Sequence, residues 1–181
     1  MSFASYPSLQ AKHVFITGGA SGIGRSIVEH LLNQGCYVSF VDIDDASAST
    51  LVHPNAFYQH CDLRDSDALE AAVAQARSRF GTFSGLVNNA AKDDRHSLQD
   101  YSAADWNKSL DINLRPHFLT AQYVCEDLKN THGSIVNLSS NSFLLRIPGM
   151  PAYLTAKAAI VGLSRALARD LGTEGVRVNT V

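Results

Sequence analysis

Thr17-Gly18-Gly19-Ala20-Ser21-Gly22-Ile23-Gly24 decides how this chain is read. Before it stands a short apolar, β-branched run, Lys12–Thr17; after it comes a helical run, Arg25–Asn33, closed by Gly35. Glycines without a Cβ let backbone approach a diphosphate, and a helix N-terminus offers unpaired N–H groups and a positive dipole end. A merely tight strand-to-helix turn uses the same residues, so the rest of the chain must discriminate.

Working outward, Cys36–Val41 reads as a second buried strand ending at Asp42. A short polar helix, Asp44–Leu51, and the turn His53-Pro54-Asn55 lead to a third strand, Ala56–Cys61, ending at Asp62. Ser66–Phe80 has helical apolar spacing, and Phe83–Val87 is the fourth strand. Asn88-Asn89-Ala90-Ala91 opens a polar loop to about Tyr101. A long helix, Ala103–Lys129, follows, interrupted near Asn113–Pro116, where proline cannot donate to the Ile112 carbonyl. Ser134–Leu138 is strand five, Ala152–Gly172 a helix and Val176–Val181 strand six. Alternating buried strands and helices predict an α/β fold, a doubly wound parallel sheet with helices on both faces. Ligands bind such sheets beyond the carboxyl ends of the strands. Gly18–Gly24, Asp42, Asp62, Asn88–Asn89 and Ser140 all fall at that edge.

Composition narrows the classes. At 181 residues, 45% hydrophobic and 18% charged, this is one globular domain, 1–181. A net charge of −2 gives no electrostatic reason for nucleic acid or an anionic membrane as partner. Cys36, Cys61 and Cys125 are scattered and lack metal-ligand spacing, which suits reduced thiols in a cytoplasmic protein. Met1–Gln10 has no signal-peptide pattern, and no apolar run reaches membrane-spanning length. His96, His117 and His132, near the expected site, have no metal-ligand spacing either, so no metal is expected.

Tyr153 and Lys157 lie one turn apart on the same face of a helix. A phenol is too weak a base at neutrality, and a neighbouring ammonium favours its ionised form. Tyr153 is therefore a candidate general base for an alcohol, and Ser140, at the end of strand five, can steady the same alcohol. The opened turn beside Asn113 can hold a water that carries the proton outward; the alternative is a polar residue on a solvated face. Asp42 is placed to take the adenosine ribose hydroxyls of a dinucleotide and would repel a 2′-phosphate, which favours NAD over NADP. Asp44 competes as a helix cap, and Arg25 could still help a phosphate. Lys92-Asp93-Asp94-Arg95-His96 reads either as a solvated loop or as contacts for a ligand with many hydroxyls.

Together the glycine run, Asn88-Asn89-Ala90, Asn113, Ser140 and Tyr153-x-x-x-Lys157 resemble the single-domain branch of the short-chain dehydrogenase/reductase family, essentially from Leu9 onward. The resemblance implies a Rossmann-type fold, NAD(P) as cofactor and a catalytic tetrad of Asn113, Ser140, Tyr153 and Lys157. It implies cofactor contacts from Gly18, Ser21, Gly22, Ile23, Gly24, Asp42, Asp62, Leu63, Asn89 and Ala90, with Tyr153 and Lys157. It also implies homo-oligomers of the full-length protein, associating through the long helices.

Tyr6-Pro7-Ser8-Leu9, Asp93-Asp94-Arg95-His96 and Gly149-Met150-Pro151-Ala152-Tyr153 narrow the resemblance to members that oxidise aldoses at C1. Substrate contacts are then expected from Asp93, Arg95, Ser140, Ser142 and Tyr153. The apolar stretch Asn141–Ile147 instead suits a keto-reductase of acyl or steroid-like substrates. Two departures stand out: Ala91 replaces the glycine usual after Asn-Asn-Ala, and the sheet is cut after strand six. The second raises the expectation of a fragment, or of a dinucleotide-binding protein without catalysis.

Overall fold

A computed structural model describes residues 4–181. Residues 1–3, part of the stretch read for a leader, lie outside it. Six parallel strands form one sheet in the order β3-β2-β1-β4-β5-β6. They are β1 (His13–Thr17), β2 (Tyr37–Asp42), β3 (Ala56–His60), β4 (Gly85–Asn88), β5 (Ser134–Asn137) and β6 (Arg177–Thr180). The helices are α1 (Gly22–Asn33), α2 (Asp45–Ser49), α3 (Ser66–Phe80), α4 (Ala103–Asn113), α5 (Arg115–Thr131), α6 (Ser142–Leu145) and α7 (Pro151–Gly172).

The strand sequences explain the two-faced core. In β1, Val14 and Ile16 point to one face and Phe15 to the other; in β2, Val38 and Phe40 oppose Val41. The first set packs with Val28 and Leu32 of α1. The second packs with Leu69 and Val73 of α3 and Val124 and Leu128 of α5. All five β1 residues are buried, as a central strand covered on both faces requires. Strand order reverses between β1 and β4, so a crevice opens there at the carboxyl edge.

Several boundaries differ from expectation. The fourth strand is Gly85–Asn88 rather than Phe83–Val87, because Phe83 drops into the core against the Phe15 ring before pairing begins. The long helix is two helices meeting at Leu114, whose φ of −130° and ψ of −55° break the spiral. Pro116 then sits in the first turn of α5, where a missing N–H loses nothing. The apolar stretch 141–147 contains the short helix α6.

Candidate active site

The glycine run makes a cradle without room for side chains. Gly18 has φ +70°, and its carbonyl faces Gly24 so closely that a Cβ on Gly24 would lie 1.8 Å from it. Asn89 closes the far wall: its Nδ2 donates to Thr17 O at 3.1 Å and Gly18 O at 2.9 Å. Thr17 Oγ1 accepts from Asn89 N (3.1 Å) and Ala90 N (3.2 Å). The threonine thus ties the loop after β4 to the loop after β1, a role the sequence alone did not reveal. Ser21 precedes α1 without capping it through its side chain, so no side chain competes with a ligand for the first-turn amides.

The cleft beside this cradle measures about 820 Å³. Its walls include Gly18, Ser21, Ile23, Gly24, Asp42, Asp62, Leu63, Asn89 and Ala90, the expected cofactor residues apart from Gly22 and the Tyr153–Lys157 pair. Gly22 instead supplies a φ of +54° at the turn into α1. Asp44, not Asp42, caps α2, accepting from Ser47 N at 3.0 Å. Asp42 is left at the cleft, accepting from Ala20 N (2.9 Å), Ile43 N (2.8 Å) and Asp44 N (3.1 Å). Arg25 is committed elsewhere, to Glu29 at 2.8 Å, Ser47 O at 3.2 Å and Thr50 Oγ1 at 2.6 Å. Asp62 is gripped by Arg64, whose guanidinium holds its carboxyl below the usual carboxylate range. These features fit a dinucleotide: a bare-backbone cradle at a helix N-terminus, followed by a fixed carboxylate at the next strand end.

At the end of β5 the chain presents the candidate catalytic side chains. Lys157 is 1% exposed; its Nζ donates to Leu138 O at 2.7 Å and lies 5.6 Å from the centre of the Tyr153 ring. Burial pulls its ammonium down to about 8. Ser139 Oγ donates to Lys157 O at 2.7 Å, fixing α7 to the strand end. The neighbouring Ser140 Oγ donates to Ser142 Oγ at 2.7 Å and accepts from Ser142 N at 3.1 Å. Neither Ser139 nor a main-chain carbonyl carries a sequence signal for holding a lysine. Tyr153 itself is half-buried.

Asn113 is not on a solvated face: it is 0% exposed. Its Oδ1 accepts from Lys92 N at 2.8 Å and its Nδ2 donates to Lys92 O at 2.9 Å. This buried amide, pairing with a main-chain amide, ties the loop after β4 to the end of α4.

The loop residues divide. Asp94, Arg95 and His96 line the cleft, whereas Asp93 is exposed and does not. Lys92 pairs with Asp94 at 3.2 Å. Arg95 Nη1 reaches Pro148 O at 3.3 Å and His96 N donates to Gly149 O at 2.8 Å. The post-β4 loop is therefore strapped to the segment entering α7. His132 corrects the expectation that three histidines gather at the site. It caps the C-terminus of α5, ahead of β5 and at the opposite edge of the sheet, within 3.2 Å of Glu174 O. Among the described residues no cluster could hold a metal ion, and no helix is long and apolar enough to cross a membrane.

Comparison with known proteins follows the same lines. A family model described as short chain dehydrogenase matches residues 12–181. A probable galactose dehydrogenase from Rhizobium meliloti is 41% identical, over 98% of this chain and 73% of its own. A D-xylose 1-dehydrogenase from Caulobacter vibrioides is 40% identical, over 100% of this chain and 74% of its own. The ligand-free aldohexose dehydrogenase of Thermoplasma acidophilum superposes with a TM-score of 0.89 at 27% identity, covering 97% of this chain and 67% of that one.

Proposed function

This chain belongs to the short-chain dehydrogenase family of oxidoreductases, and from that premise we propose that it oxidises the C1 hydroxyl of an aldose to a lactone with NAD. One observation carries the reading: the Lys157 ammonium, anchored at 2.7 Å to Leu138 O, stands 5.6 Å over the Tyr153 ring beside the glycine cradle. Tyr153 takes the hydroxyl proton, and the Lys157 cation favours the negative charge that develops on the phenol oxygen. Ser140 turns from Ser142 to hold the substrate oxygen. Gly18, Ser21, Ile23 and Gly24 bind the diphosphate, Asp42 the adenosine ribose, and Asp62 and Leu63 the adenine end. When bound, NAD supplies a hydride acceptor.

Asn113 holds the loop whose Asp94, Arg95 and His96 meet the sugar hydroxyls, and so acts on substrate through Lys92. The committed Arg25 and the Asp42 carboxylate at the cleft support NAD over NADP. Relatives named for galactose and xylose support an aldose. Three free thiols suit a cytoplasmic setting, and exposed Trp106 and Phe118 on α4 and α5 suit a homo-oligomer, which sedimentation of the full-length protein tests. A second reading, reduction of an apolar ketone, is favoured by Leu144 and Leu145, 69% and 64% exposed on α6 beside Ser140. Following nicotinamide absorbance with aldoses and with acyl or steroid-like ketones separates the two. Oxidation of an aldose with NAD supports the proposal, and turnover confined to ketones overturns it.

A further inference from the structure

A line of polar side chains that the proposed chemistry leaves unused interrupts the apolar layer between the sheet and helices α5 and α7. Thr120 of α5, Asn88 of β4, Asn137 of β5 and Ser164 of α7 are all buried. Thr120 Oγ1 lies 2.8 Å from Asn88 Oδ1, and Asn88 Nδ2 donates to Asn137 Oδ1 at 2.9 Å. Asn137 Nδ2 in turn donates to Ser164 Oγ at 2.9 Å. Asn88 and Asn137 are direct partners in the β4–β5 register, on the strand faces that carry Leu86 and Ile135.

Apolar side chains of similar volume would fill this layer at less cost, because a buried amide must replace the hydrogen bonds it made with water. What directional bonds add is position. An amide oxygen on one side and an amide nitrogen on the other accept one seating of their partners, whereas hydrophobic contacts can slide.

The place of this line in the fold gives that property a use. Asn137, Leu138 and Ser139 are consecutive, and each holds α7. Asn137 does so through Ser164, the Leu138 carbonyl through Lys157 Nζ at 2.7 Å, and Ser139 Oγ through Lys157 O at 2.7 Å. Ser164 lies about two turns beyond Lys157, on the same helical face. At the other end, Asn88 directly precedes Asn89, which closes the glycine cradle.

We propose that Asn137 is a positioning residue for the Tyr153–Lys157 pair: clamped between Asn88 and Ser164, its amide fixes where α7 seats on β5, and so where the pair stands relative to the cradle. The inference rests on the catalytic reading of that pair, so its decisive readout needs neither substrate nor cofactor.

Ser164→Ala removes the hydroxyl with little change of volume, and Ser164→Thr keeps it. Lys157 is followed by NMR in protein labelled with 13C at the lysine ε carbon, its signal assigned through Lys157→Arg. Burial holds this ammonium at about 8. An α7 that shifts and admits water should let it titrate about one pH unit higher in Ser164→Ala, while Ser164→Thr stays near the parent. In the alanine variant kcat for the aldose should fall at least about tenfold, with the NAD Kd by calorimetry within about threefold. A folded Ser164→Ala protein with a lower melting temperature but an unmoved Lys157 titration would overturn the proposal. If that variant does not fold, the parent decides. The side-chain amide protons of Asn137 should exchange with water as slowly as the main-chain amides of α7, and exchange at the rate of an exposed asparagine overturns it equally. A moved titration with undiminished turnover would support the seating role and instead sink the catalytic reading of Lys157.

Discussion

The Lys157 ammonium lies 5.6 Å from the centre of the Tyr153 ring and is anchored outside their shared helix, by the 2.7 Å bond from its Nζ to the Leu138 carbonyl at the end of β5. Ser139 Oγ, bonded to Lys157 O, makes the same join from the other side. The pair is thus fixed to the sheet as well as to its helix. A loop-borne pair would lack that rigidity, and a general base depends on it.

Gly24→Ala should abolish dinucleotide binding. The new methyl would lie 1.8 Å from Gly18 O and 2.5 Å from Asn89 Nδ2, and neither can retreat without opening the cradle. NAD affinity by calorimetry should drop at least tenfold, with a lower melting temperature. An unchanged Kd would show that the diphosphate lies elsewhere.

Asp42→Asn removes the charge and keeps one acceptor oxygen, for either Ala20 N or the Ile43 and Asp44 N–H pair, at the cost of the other. A carboxylate about 4 Å from a phosphate at a near-surface dielectric is worth up to about 4 kcal/mol before screening. The ratio of kcat/KM with NADP to that with NAD should therefore rise at least tenfold. No change in that ratio would remove Asp42 from the ribose.

Asn113→Leu keeps the volume but leaves the Lys92 N–H and carbonyl unpaired. A loss of about 2–4 kcal/mol is expected by chemical denaturation. KM for the aldose should rise more than that for NAD, because the loop carries Asp94 and Arg95. Equal effects on both would argue against that division.

Acid stability should report His117. Its folded value of about 3 lies below the ordinary 6.5, so between these pH values the unfolded chain binds a proton the folded one refuses. Stability is therefore lost as pH falls below 6.5, by about 2 kcal/mol at pH 5. Lys157, pulled from 10.5 to about 8, adds a second window in which stability rises with pH, between those two values. Thermal melts of His117→Gln should flatten the acid limb alone; an unaltered limb would place the acid sensitivity in another group.

Much of this was legible beforehand, for identifiable reasons. Buried strands alternating with amphipathic helices gave the sheet, because period and burial are local properties. The glycine cradle was legible because a missing Cβ is itself the signal. Proline at 116 placed the helix break correctly, at Leu114. What Asn113 does there was not legible, since its partners are main-chain atoms of Lys92, far off in sequence. The roles of Thr17, Ser139 and the Leu138 carbonyl escaped for the same reason. His132 was misplaced because sequence distance says nothing about which end of a helix faces the cleft.

Tyr153→Phe puts the central claim to its most direct test, with NADH formation from an aldose measured beside NAD binding by calorimetry. Removal of one hydroxyl should cut turnover by at least about a hundredfold while the NAD Kd stays within about threefold. Undiminished turnover in the phenylalanine variant would contradict the account.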